Sequence, residues 1–263
     1  MDESEIVTRA RAEELRLVVR EPSERERTSS FVIEGPHLIE RAFESVRGRI
    51  KELIVTEHAR EVHHAILLRA ERKGILVSHV TQKFAERISD TKTPQGIFAV
   101  IALPDDDEVL PESGIIVVLD NIQDPGNVGT MIRTASWFGV EHVYLSEECA
   151  DPYSPKVLRA TQGEIFSTKV GKRGGIENFL RILQKKDWQI ISATVDPEAC
   201  SLYKMAYMPN VALVFGSEAH GVSPEILKVS DGQIIIPKYG NAESLNVATS
   251  AGIVLSELMR KRS

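Results

Sequence analysis

Apolar and polar residues along this chain repeat with two periods, and the switching between them outlines the elements. From Phe31 the order is strand, helix, strand, helix, strand, helix, strand: FVIEG, PHLIERAFESV with Pro36 in its first turn, IKELIVT, EVHHAILLRAERKG closed by Gly74, ILVSHV, VTQKFAERIS and GIFAVIAL. This β-α-β-α-β pattern of about 75 residues predicts a small α/β sandwich. Residues 1–30 read as a charged helical extension whose apolar contribution is Ile6, Leu15, Leu17 and Val18. PDDDEVLPESG, acidic and bounded by prolines, breaks the chain. The expected organisation is an extension over 1–30, an α/β domain over 31–104, a linker over 105–113 and a second domain over 114–263.

The second domain opens on Ile115 to Leu119, a continuously apolar run that fits a parallel strand covered on both faces. Helix TMIRTASWFG and strand HVYLS follow, then helices over SPKVLRATQGEIF and GGIENFLRILQKKD, and strand WQIISATV. Val211 to Phe215 is a buried strand running into Gly216, Ser217, Glu218 and Gly221. Ile234 to Ile236 is another, followed by a loop held by Pro237 and Gly240 and by a helix with Ser244 as the expected N-cap. In that helix Leu245, Ala248, Ala251, Gly252, Val254, Leu255 and Leu258 recur at helical spacing, and the small residues call for a close neighbour. Three strand exits therefore carry small and polar residues: Asp120 to Asn127, Gly216 to Gly221, and Lys238 to Asn246. Open parallel sheets bind ligands at the carboxyl ends of their strands, so these loops are expected to meet at one edge as a cofactor pocket.

Composition narrows the chemistry. Of 263 residues 42% are hydrophobic and 27% charged, as in ordinary globular domains. No apolar run approaches the roughly 20 residues that span a bilayer, and MDESEIVTRARAEELR lacks a signal-peptide core. Cys149 and Cys200, the two cysteines, form no CxxC pair, which argues for a reducing, cytoplasmic setting and against a zinc site. His58, His63 and His64 have no acidic or thiol partner at ligand spacing, so no metal is expected. The net charge is -6, and residues 1–104 balance with 17 basic and 17 acidic side chains. A polyanion contact must then be a local patch. Arg9, Arg11, Arg16, Arg20, Arg25 and Arg27 read first as a solvated helix face paired with Glu, and second as an RNA contact. Arg87, Thr91, Lys92, Thr93, Pro94, Gln95 and Gly96 form a polar loop that reads either as an RNA grip or as a simple turn. Arg133 lies in an otherwise apolar helix, where a buried guanidinium would need a salt bridge or an anionic ligand. Neither GxGxxG nor a Walker loop is present.

DNIQDPGNVGTMIRTASWFGV, LVFGSEAHGVSPEIL and IIIPKYGNAESLNVATSAGIVLSE resemble, in order and spacing, the three motifs of the SpoU/TrmH family of RNA 2′-O-ribose methyltransferases. SPKVLRATQG is similar to the segment between the first two motifs. FVIEGPHLIERAF with GIFAVIAL is similar to the substrate-binding N-terminal domain of many members. The resemblance implies a SPOUT-type α/β fold with a trefoil knot, a homodimer, and S-adenosylmethionine held in a bent form by backbone groups. It assigns the cofactor to Gly216, Ile236 and Leu245, with Thr194 and Gly221 beside them. It assigns the catalytic edge to Asn127, Arg133, Glu218, Ser244 and Asn246. Arg133 would orient the ribose 2′-hydroxyl and steady the developing alkoxide, since a guanidinium is no ordinary base. Ala219 and Lys238 depart from the usual Gly and Met of the motifs, and His220 has no assigned role. The implied activity is methylation of an RNA ribose, in rRNA before tRNA because of the N-terminal domain, without a metal and away from membranes. The competing class is a non-catalytic RNA-binding or ribosome-assembly protein on the same fold.

Overall fold

The computed structural model describes residues 5–104 and 110–262. The acidic run Asp105 to Glu108, within the expected linker, lies outside the described residues. The chain forms two compact units, Met1–Asp105 with Tyr153–Phe166, and Asp106–Pro152 with Ser167–Ser263.

In the first unit the order is β1 (Glu5–Ile6), α1 (Arg9–Arg20), α2 (Pro22–Thr28), β2 (Ser30–Glu34), α3 (Pro36–Glu44), β3 (Ile50–Val55), α4 (Glu57–Val62), α5 (His64–Arg72), β4 (Leu76–His79), α6 (Gln82–Ile88) and β5 (Ile97–Ala102). The sheet runs β1-β4-β3-β5-β2, with β5 antiparallel to both neighbours and the other pairs parallel. β5 is the apolar run IFAVI, buried because it lies between two strands and under helices. The expected helix over Glu61 to Gly74 is two pieces, since His63 leaves helical geometry at φ -109°, ψ 32°.

The described part of the expected helical extension, from Val7 through α1, packs into this core and does not stand apart from it. The helix α1 buries Ala12, Leu15, Val18 and Val19 at i, i+3, i+4 spacing, in one cluster with Ile54, Ile88 and Phe98. Its arginines are largely paired within the unit. Arg11 meets Glu14 and Glu52, Arg16 meets Glu13, and Arg27 meets Glu24. Arg25 is 3% exposed and donates to the carbonyls of Val18 and Val19 at 2.7 and 3.0 Å, closing the end of α1.

Between β7 (His142–Ser146) and β8 (Lys169–Arg173) of the second unit, the chain contributes α8 (Pro155–Thr161) and a 3₁₀ turn (Glu164–Phe166) to the first. The sequence places this stretch inside the second domain and as one helix. Aromatic packing decides otherwise: Tyr153 and Phe166 lie against Phe31, at 4.8 and 6.4 Å between ring centroids. Arg159 grips Asp90 through both carboxylate oxygens, at 2.6 and 2.8 Å.

The second unit contains β6 (Ile115–Asp120), α7 (Pro125–Trp137), β7, β8, α9 (Ile176–Gln184), β9 (Gln189–Ala193), β10 (Cys200–Ser201), β11 (Val211–Gly216), α10 (Pro224–Val229), β12 (Gly232–Ile235) and α11 (Val247–Arg262). Its seven strands are all parallel, in the order β10-β12-β9-β11-β6-β7-β8. Ile116 and Val118 of β6 with Ala212 and Val214 of β11 join α9 and α10 in one cluster. On α11, Gly252 stands where an added Cβ would lie 3.8 Å from Thr134 of α7, the close neighbour that the small residues called for. Chain order reverses between β6 and β11, so their carboxyl ends lie at a topological switch point, where open sheets of this kind bind ligands.

Candidate functional site

At the switch point the exit of β6 is braced from two sides. Asp120 is buried in register with Gly216 of β11, and its Oδ2 accepts the Ser223 N–H at 2.7 Å. The Cys149 thiol donates to the Leu119 carbonyl and accepts from the Ile122 amide, both at 3.3 Å. Burial pushes that thiol above its ordinary pKa. The side chain of Asp124 then caps α7 by accepting the Asn127 N–H at 2.9 Å, with Pro125 opening the helix. This places Asn127 on the first turn of α7, just past the exit of β6.

There the three motifs meet. Asn127 donates through Nδ2 to Glu218 Oε1 and accepts at Oδ1 from Asn246 Nδ2 at 2.8 Å. Asn246 Nδ2 is also 3.4 Å from Glu218 Oε1, which closes a triangle of side chains from three separate strand exits. The Oδ1 of Asn246 accepts from the amides of Ala248 and Thr249 at 3.0 and 3.2 Å, so Asn246 caps α11. Ser244, the expected cap, is exposed in the loop before it, two residues too early for its hydroxyl to fill that position.

Arg133 is exposed, contrary to the expectation of a buried guanidinium. The apolar face of α7 is Val128, Met131, Ile132 and Ala135, and Arg133 falls outside it. Among the described residues it forms neither an ion pair nor a hydrogen bond and stays apart from the triangle. Its charge needs no internal partner because it is hydrated.

The expected cofactor residues surround the same edge. Gly216 and Gly221 approach each other so closely that a Cβ on Gly216 would collide with the Gly221 backbone. Gly221 sits at φ +68° and donates its amide to the Ser217 carbonyl at 2.8 Å, making the tight return that brings Glu218 outward. Ile236 is half-buried and Leu245 is 45% exposed. Thr194 donates its amide to the Ile234 carbonyl, and its hydroxyl accepts from the Asp196 amide. Among the described residues no backbone amide of 236–245 donates to another backbone carbonyl. Such a loop offers a row of main-chain donors and acceptors to a polar ligand. Ala219, His220 and Lys238 are all exposed. Among the described residues no group of three or more His, Cys, Asp or Glu side chains is placed to hold a metal ion.

The sequence assigns Asp120, Asp124 and Cys149 no catalytic or cofactor-binding role. Asp124-Pro125 carried a usable signal, an N-cap residue followed by proline at the first helical position. Nothing local marks Asp120 or Cys149 as braces, because their partners lie across strands.

Residues 114–256 match the family model of the SpoU rRNA Methylase family, and residues 16–99 match the MRM3-like substrate binding domain. Among curated relatives, the 23S rRNA (guanosine(2553)-2′-O)-methyltransferase RlmP of Bacillus subtilis is 33% identical, over 89% of this chain and 90% of that protein. A TrmH-family structure from Porphyromonas gingivalis superposes with a TM-score of 0.83 at 33% identity, covering 98% of this chain and 100% of the other. An AdoMet-bound rRNA methyltransferase from Sinorhizobium meliloti superposes at 0.84 with 26% identity, covering 98% of each chain. The family match spans the strand exits that supply the hydrogen-bonded triangle, and the chain belongs to the SpoU rRNA methylase family.

Proposed function

We propose that this protein methylates a ribose 2′-hydroxyl of ribosomal RNA with S-adenosylmethionine as methyl donor. The observation that carries this reading is the triangle of Asn127, Glu218 and Asn246 beside a loop with unpaired main-chain groups. The residues present fit the cofactor. It has a zwitterionic amino-acid end and a purine, which call for donors and acceptors together with apolar contact. The loop amides and carbonyls, the Gly216–Gly221 turn, and the aliphatic chains of Ile236 and Leu245 are suited to those demands. Bound there, the cofactor supplies an electrophilic sulfonium methyl.

The chain's own task is then to hold the ribose hydroxyl in line with that methyl. Positioning of this kind contributes up to roughly 7–11 kcal/mol in the best intramolecular cases. Arg133, unpaired and exposed, is available to hold the phosphate next to the ribose and to stabilise the oxygen as it loses its proton. Asn127 and Asn246 anchor Glu218 Oε1 and keep this edge rigid, while Ser244 stands free in the adjoining loop.

The preference for rRNA rests on the extent of the matches. RlmP aligns over 89% of this chain, whereas the tRNA (guanosine(18)-2′-O)-methyltransferase of Aquifex aeolicus aligns over 57%. A homodimer, trefoil threading of the loop before α11, and a cytoplasmic setting belong to the same proposal. An open groove along α11 lined by Thr249, Gly252, Ile253 and Ser256 supports the dimer. Both cysteines are free, and among the described residues no helix is long and apolar enough to cross a membrane.

The test is methyl transfer from tritiated S-adenosylmethionine to unmodified rRNA and to tRNA. Arg133→Ala is expected to lower the rate by about 10²–10³-fold while cofactor affinity stays near wild type. Undiminished transfer by the variant, or a loss explained by weaker cofactor binding alone, would overturn the assignment.

A further inference from the structure

Tyr239 is 89% exposed in the loop between β12 and α11. Among the described residues no ring stacks on it, no cation lies over it and its hydroxyl has no hydrogen bond, so its ring does little for folding of this unit. Lys238, Gly240 and Asn241 beside it are exposed as well, and Lys238 has no ion-pair partner among the described residues. The same loop goes on to Ser244 and to Asn246 of the triangle. The seven residue steps from Tyr239 to Asn246 reach at most roughly 25 Å, so the ring stays within a few nucleotides of that edge. An aromatic face next to a free cation is what a single-stranded nucleic acid requires: the ring takes a base and the cation a phosphate. Lys238 beside the ring gives the loop a charge complement for a phosphate at the same spot that offers a base a stacking face.

We propose that Tyr239 stacks on an unpaired nucleobase adjoining the target ribose, with Lys238 on a neighbouring phosphate. The loop that shapes the cofactor side thereby also selects unpaired RNA over duplex. This inference rests on the proposed function for its location at the reacting edge, while the stacking itself can be read by binding alone.

The experiment compares wild type, Tyr239→Ala, Tyr239→Phe and Tyr239→Trp, all as the full chain. Fluorescence anisotropy with labelled single-stranded oligoadenylate gives RNA affinity. Tritium transfer to unmodified rRNA gives kcat and KM, and sedimentation velocity gives the oligomeric state. Tyr239→Ala is expected to weaken RNA binding and raise the RNA KM by about 10- to 100-fold. The Phe and Trp variants should stay within about 3-fold of wild type, and cofactor affinity should not change. Wild-type RNA affinity in Tyr239→Ala, or equal losses in Ala and Phe, would overturn the stacking role. So would a change of oligomeric state in Tyr239→Ala, because a second copy would then cover the ring. Absence of methyl transfer by the wild type would instead strike the proposed function, and would show separately from the binding result.

Discussion

Gly216→Ala tests how the proposed cofactor loop is held. Gly216 ends β11 in register with Asp120, and Ser217 bridges to Gly221 immediately beyond it. A Cβ there would meet the Gly221 carbonyl carbon and oxygen and the Val222 nitrogen, all far inside the 3.0 Å that real Cβ atoms respect. All three are backbone atoms, so no side chain can swing aside. The return of the loop must retreat by on the order of 1 Å, and a displacement of that size at a reacting site costs about 100-fold in rate. Overpacking itself costs about 1–3 kcal/mol, which lowers Tm by several degrees without unfolding the chain. Calorimetric titration with S-adenosylmethionine should therefore show affinity at least about 10-fold weaker, and single-turnover methyl transfer should fall further, because Glu218 rides on the same loop. Circular dichroism melting would establish that the variant is folded. Cofactor affinity equal to wild type in a folded Gly216→Ala protein would refute the idea that this close approach sets the site.

Two further changes test the scaffold. Arg25→Met removes the buried donor to the Val18 and Val19 carbonyls and should lower stability by about 2–4 kcal/mol, visible as a lower urea midpoint; an unchanged midpoint would contradict the capping role. Cys149 is buried with its thiol pKa pushed up, which disfavours the reactive thiolate, whereas Cys200 is exposed. With a disulfide reagent at pH 8 the native protein should react rapidly at one thiol and at both in guanidinium, and two fast thiols in the native state would show that the brace at Leu119 and Ile122 is open.

Strands at the centre of each sheet were legible because burial on both faces demands unbroken apolar runs, as in Ile115 to Leu119 and Ile97 to Ile101. The two edge strands of the second sheet escaped. The strand KVGKR of β8 is only partly buried and carries no such run, and β10 is two residues long. In α1 the density of Arg and Glu masked a face of four buried residues, since average polarity says little about one side of a helix.

By itself the sequence determined the chemical types at the three strand exits, and with them the family resemblance and its implied activity. Asn127, Glu218 and Asn246 are polar residues at strand exits, a property that local patterning carries. Tertiary structure alone decided that they share one hydrogen-bonded triangle, that Asn246 and not Ser244 caps α11, and that Arg133 points to solvent. Ser and Asn are nearly equal as caps, so only the path of the backbone could choose between them. Likewise the place of Tyr153 to Phe166 was settled by rings packing on Phe31, a contact more than a hundred residues distant along the chain. Local pattern reports what a residue can do; which partner it meets depends on the closure of the sheet around it.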